Sequence, residues 1–121
     1  DLPCLKNLAT TLSERVYCYD SAQRLSLHLA AVFACNFSNY CYDMAAQIVT
    51  AQQVDFNLLY PLMLETAKKA TQHAPQQVQT GPAKRGDQNI LALHQSLLQQ
   101  QPDLAEVYQL MSHQIMQRHI D

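Results

Sequence analysis

Glycine is almost missing from this sequence: its 121 residues include only Gly81 and Gly86, both in the stretch Thr80-Gly81-Pro82-Ala83-Lys84-Arg85-Gly86-Asp87. A glycine costs about 1 kcal/mol inside a helix and is otherwise kept where the backbone needs positive φ or a close approach. The scarcity therefore singles out one loop as the place to look for function. A surplus of basic charge is lacking too, since the formal charge is −2 and the eight Lys and Arg are scattered. General attraction to nucleic acid or to an anionic membrane is not expected. The longest apolar stretch, Leu25 to Ala34, is too short to span a bilayer and runs into Asn36, Ser38, Asn39 and Asp43. Nothing in the sequence predicts a membrane protein, a secretory signal or an internal repeat. Cys4, Cys18, Cys35 and Cys41 include no CxxC pair, and the spacing of His113 and His119 sets them on different sides of a helix. Free, buried thiols of a cytosolic protein are expected, and no structural metal.

What is present reads as helix. The chain is long enough for one domain, and 48% hydrophobic residues suffice for one core. Asp20-Ser21-Ala22-Gln23 supplies a capping box, after which Leu25, Leu29, Val32, Phe33, Phe37, Tyr40, Met44 and Ile48 continue one long helix over about 21–51. Nearly every side of it carries apolar or small residues, which predicts a central spine covered by other helices. Asp55 is placed to cap a third helix running to about His73, with Leu59, Leu62, Met63, Thr66 and Ala70 inward and Pro61 restarting or kinking it. Asp87 is a good N-cap for a helix with Ile90, Leu93, Leu97 and Leu98 facing in. Asp103 and Glu106 read as a second capping box, opening a helix through Val107, Tyr108, Met111 and Ile115. The predicted fold is an all-α multihelical bundle.

Residues 1–20 differ. Leu5, Leu8 and Leu12 have helical spacing, and Arg15-Val16-Tyr17-Cys18-Tyr19 alternates like a strand with no partner in the chain. With Asp1 rather than Met at the start, they read as the remnant of a preceding sheet-containing domain, and residues 21–121 as the helical domain.

Two groups of residues could carry chemistry. In an unbroken helix Arg24, His28, Cys35 and Asn39 fall within about 40° of one direction, with Asn36 about 80° away. They are either polar residues satisfied within a core, or His28 and Asn36 open onto a cleft, offering a titratable proton and an amide donor and acceptor. In the glycine loop, Lys84 and Arg85 precede a helix N-terminus that would favour an anion. The other reading is a helix-to-helix turn capped by Asp87. A nucleoside-triphosphate loop is rejected, because Asp87 stands where that motif has Lys and no strand leads in. The Arg85-Gly86-Asp87 tripeptide lacks any secretory context.

Taken together, Ser21-x2-Arg24-x3-His28-Leu29-Ala30-Ala31-Val32-Phe33-Ala34-Cys35-Asn36-Phe37, then Leu62-x3-Thr66, and Thr80-Gly81-Pro82-x2-Arg85-Gly86-Asp87 with His94, resemble one particular helical domain. It is the C-terminal domain of uncharacterised NAD(P)-dependent oxidoreductases, which follows a Rossmann-like domain. Its fold is similar to the C-terminal domains of pyrroline-5-carboxylate reductase and 6-phosphogluconate dehydrogenase. The resemblance covers about residues 13–118. It implies that residues 1–20 end the missing Rossmann-like domain, which would bind most of the NAD or NADP, with no cofactor held by this chain alone. It further implies a cytoplasmic homodimer whose interdomain cleft uses His28 and Asn36 as catalytic residues. Arg24, Asn39, Thr80, Gly81, Arg85, Gly86 and Asp87 would lie near substrate or cofactor. The isolated chain would be inactive, since hydride transfer needs the nicotinamide held by the other domain. A non-catalytic helical self-association module is the alternative.

Overall fold

A computed structural model describes residues 19–120. Every regular element among them is helical, as the composition predicts. They divide into two compact units, the first ending at Tyr60 and the second beginning at Pro61. The helix and strand expected before Tyr19 lie outside the described residues.

The first unit is built on a single helical rod. Its start is the capping box read from the sequence: Asp20 Oδ1 accepts from the Gln23 N–H at 2.8 Å, and the Asp20 N–H donates to Gln23 Oε1 at 3.0 Å. The rod comprises α1 (Ser21–Ala31), a π-helical segment (Val32–Phe37) and α2 (Ser38–Ala51), with right-handed helical backbone through both joins. Bonding from i to i+5 winds about one extra residue into the turn, so side chains beyond it lag by about 100° behind an unbroken α-helix. The rod ends at Gln53, which has φ 60°. There the Gln53 N–H donates to the Thr50 carbonyl and the Val54 N–H to the Val49 carbonyl, each at 2.9 Å. These are the two bonds of a Schellman cap, formed here on a residue other than glycine. The chain then reverses, and a 3-10 turn (Phe56–Leu59) lies back along α2. Asp55 occupies the cap position of this turn without a side-chain bond, so its expected capping role is not realised.

None of the rod's residues is buried, and Leu25, Phe33 and Phe37 are 70%, 63% and 50% exposed. The spine is continuous, as expected, but its own residues are not the buried ones among those described. Cys35 and Cys41 are free, as expected, yet exposed rather than buried.

The helix α3 (Tyr60–Gln72) begins one residue before Pro61. The proline thus sits in the first turn, where its missing N–H costs nothing. In the second unit a 3-10 turn (Pro75–Val78) leads through Gly81 into the one-turn helix α4 (Pro82–Arg85), and Gly86 closes it. Then come α5 (Gln88–Leu97) and α6 (Pro102–Arg118). The helix α4 packs on both α5 and α6, and the buried residues of this unit are Ala83, Leu91 and Leu98. Of the residues expected to face in here, Leu98 is buried and Ile90 half-buried, and Leu91 and His94 join them. Leu93 and Leu97 are exposed instead. His94 can occupy the inner stripe because Tyr108 of α6 hydrogen-bonds it, with Nδ1 to Oη at 2.7 Å.

The capping box expected at Asp103 and Glu106 does not form. Pro102 takes the first helical position, so Gln101 becomes the cap, and Asp103 lies in the first turn. At the other end of α6 the His119 ring bridges the Ile115 carbonyl (Nδ1, 3.0 Å) and the Gln76 carbonyl (Nε2, 3.1 Å), tying the Pro75–Val78 turn to the helix terminus.

Candidate functional site

The sequence-derived site residues divide between the two units. Arg24, His28, Asn36 and Asn39 belong to the first, and Thr80, Gly81, Arg85, Gly86 and Asp87 to the second.

On the rod, Arg24 is engaged locally: its guanidinium donates to the Tyr19 carbonyl and, at 3.4 Å, to Ser21 Oγ. This bond fastens the turn that enters α1. His28, Asn36 and Asn39 are exposed and make no side-chain hydrogen bond to another described residue. They are not polar groups satisfied inside a core. The π segment also changes which residues share a face. Its lag offsets most of the about 80° that parts Asn36 from His28 in a regular helix, and it turns Cys35 and Asn39 away from the line through Arg24 and His28.

Asn36 and Asn39 come together in an open cleft of about 410 Å³, which is lined also by Tyr40, Tyr42, Asp43 and Phe56. Asn36 stands three and four residues before Asn39 and Tyr40, and each of those stands four or three before Asp43, so the four share one side of the helix. Phe56, brought back by the reversal at Gln53, forms the opposite wall. Neither His28 nor Arg24 lines this cleft.

The glycine loop is organised by its own backbone. Gly81 has φ 106° and ψ 170°, and Gly86 has φ 67° and ψ 31°. A Cβ built on either would meet nothing within 4 Å, so conformation rather than a close approach is what calls for glycine. The Asp87 N–H donates to the Pro82 carbonyl at 2.9 Å, and Asp87 Oδ1 accepts from the Ile90 N–H at 3.2 Å. The carboxylate thus takes the positive end of α5 for itself, where the alternative reading would put an anion. Arg85 faces the same carboxylate at 4.0 Å across exposed surface. Thr80 is exposed, and its carbonyl accepts from the Gln79 side-chain amide at 3.0 Å. Of the two readings of this loop, the geometry matches the capped turn.

Sequence reasoning missed two features. The His94–Tyr108 pair, with ring planes at 89°, sits half-buried where α5 meets α6. The sequence sets His94 with the glycine-loop motif and Tyr108 on the last helix, but nothing in it pairs them. Beside it, α5 and α6 form an open groove of about 580 Å³, with Leu91, Ala92 and Met116 among its apolar lining and Gln95, Glu106 and His113 among its polar one.

Among the described residues no group of three or more His, Cys, Asp or Glu could hold a metal ion, and no helix is long and apolar enough to cross a membrane. A dinucleotide needs a glycine-rich turn that opens a helix toward its pyrophosphate. The glycine turn here presents a carboxylate at that place, so these residues do not fit the pyrophosphate.

The described residues define an all-α domain with an amide-lined cleft, and its glycine loop is a capped turn. The chain belongs to the family described as domain of unknown function DUF2520, which matches residues 1–115. A solved structure described as a "putative NADP oxidoreductase" from Bacteroides fragilis shares 42% identity with it at a TM-score of 0.79. The match covers 82% of this chain but only 38% of that protein. No curated protein matches the chain.

Proposed function

We propose that this chain is the substrate-cleft and dimerisation domain of an NADP-linked oxidoreductase, with the dinucleotide held by a preceding Rossmann-like domain. The observation that carries the reading is the 42% identity to an oxidoreductase of which this chain spans about two-fifths. The long uninterrupted rod supports the further kinship with the C-terminal domains of pyrroline-5-carboxylate reductase and 6-phosphogluconate dehydrogenase.

In this reading the exposed stretch of the rod from His28 to Asn39 faces the nicotinamide end of the cofactor. His28 is the candidate proton donor, and Asn36 positions substrate with its amide. The uncovered apolar side chains on the rod support a homodimer. Burying a Leu or Phe that is now open contributes about 1.5–3 kcal/mol, so a second copy covering Leu25, Phe33 and Phe37 has ample driving force. Free Cys35 and Cys41 thiols suit a reducing compartment such as the cytoplasm.

Titration calorimetry with NADPH tests the reading. The full-length protein should bind it and residues 1–121 alone should not. Absence of binding by the full-length protein would refute the oxidoreductase and leave the self-association module.

A further inference from the structure

The cleft at the start of α2 is chemically one-sided. It brings together two amides (Asn36 and Asn39), two phenols (Tyr40 and Tyr42) and one carboxylate (Asp43) against the ring of Phe56, and no Lys, Arg or His lines it. None of its five polar side chains makes a hydrogen bond or ion pair with another described residue. Among the described residues, nothing occupies these groups in advance of a ligand. Phe56 makes an edge contact with Tyr60, with ring centroids 5.6 Å apart at 90°. That contact fixes the wall of the cleft without filling it.

The geometry points to an organic ammonium ion as the ligand class of this cleft, its cationic group on Asp43 and its N–H groups shared with the Asn36 and Asn39 amide oxygens. A carboxylate is the one side chain here with a net charge, and it selects for the opposite sign. Tyr40 and Phe56 line the cleft, and an aromatic ring attracts a cation over its face and does not attract an anion there. An anionic ligand would meet Asp43 with no positive side chain to offset it, which excludes phosphates and simple carboxylates from this position. As a binding site the inference stands on the cleft alone. As the substrate site, implying an amine-bearing substrate, it rests on the oxidoreductase reading above.

The test uses full-length protein labelled with 15N-asparagine, with the Asn36 and Asn39 side-chain signals assigned through Asn36→Asp and Asn39→Asp. Titration with n-butylammonium should move both signals, while n-butyrate at the same concentrations should not. Asp43→Asn should weaken the ammonium response at least tenfold with the remaining asparagine signals unchanged, and Asp43→Glu should restore part of it. An equal response to butyrate, a response indifferent to Asp43→Asn, or no response would overturn the inference. NADPH binding by a protein whose cleft ignores n-butylammonium would overturn this inference alone. Ammonium binding by a protein that ignores NADPH would uphold the cleft and refute the oxidoreductase.

Discussion

Replacing Gln53 with glycine should stabilise the protein by about 1 kcal/mol. Gln53 holds φ 60° at the end of the rod, and its backbone completes both bonds of the Schellman cap, at 2.9 Å each. A residue with a Cβ in the left-handed region costs about 1–2 kcal/mol, which glycine avoids. Against this, glycine gives the unfolded chain more freedom, worth about 0.4–1 kcal/mol. The side chain is exposed and loses no hydrogen bond, so the difference of these two terms remains. For a domain of this size about 1 kcal/mol raises the melting temperature by about 4 °C. Urea unfolding followed by circular dichroism should show a higher midpoint with an unchanged slope, because the surface exposed on unfolding stays the same. Gln53→Ala, which keeps a Cβ, should leave the midpoint close to the starting value. If Gln53→Gly destabilises, or matches Gln53→Ala, then position 53 does not carry left-handed strain. The reversal that sets Phe56 against α2 would then need another cause.

Gly81→Ala should cost about 1–3 kcal/mol, because φ 106° with ψ 170° lies in a region that is essentially glycine's alone; thermal unfolding measures it, and a neutral result would refute the assigned backbone. Tyr108→Phe removes the partner of His94 Nδ1 and should cost about 1 kcal/mol, while His94→Gln, which can still reach the phenol, should cost less; denaturant unfolding ranks the two. Phe37→Asp places a charge on the uncovered rod and should shift a dimer to monomer in analytical ultracentrifugation, whereas Leu97→Asp on α5 reports whether that exposed face is covered as well.

Capping chemistry was legible from the sequence because it is local. The Asp20–Gln23 box and the Asp87 cap need only the right side chains three residues apart, and both form. The same pattern at Asp103 failed because Pro102, with its fixed φ, claims the first helical position ahead of it. Both glycines take positive φ as their scarcity suggested. Gln53 does so too, and composition gives no sign of it. Among the described residues periodicity found the long helices, yet on α5 it put Leu93 and Leu97 inward with Leu98 and passed over Leu91. Hydropathy does not distinguish an apolar face that meets its own chain, such as Leu91 and Leu98, from one left open, such as Leu93 and Leu97. The π segment has no compositional signature, and its lag is what regroups the polar residues of the rod. Asn36, Asn39, Tyr40 and Asp43 are neighbours by helical spacing alone, whereas Phe56 joins them only through the reversal at Gln53, which no local pattern announces.

The most direct test of the account is hydrogen–deuterium exchange on the full-length protein with and without saturating NADPH. The account predicts slower exchange in peptides covering 28–43, where the rod faces the nicotinamide, with little change in peptides covering 80–87. NADPH that binds while leaving 28–43 unchanged would contradict it, and the rod would then belong to the dimer rather than to the reaction.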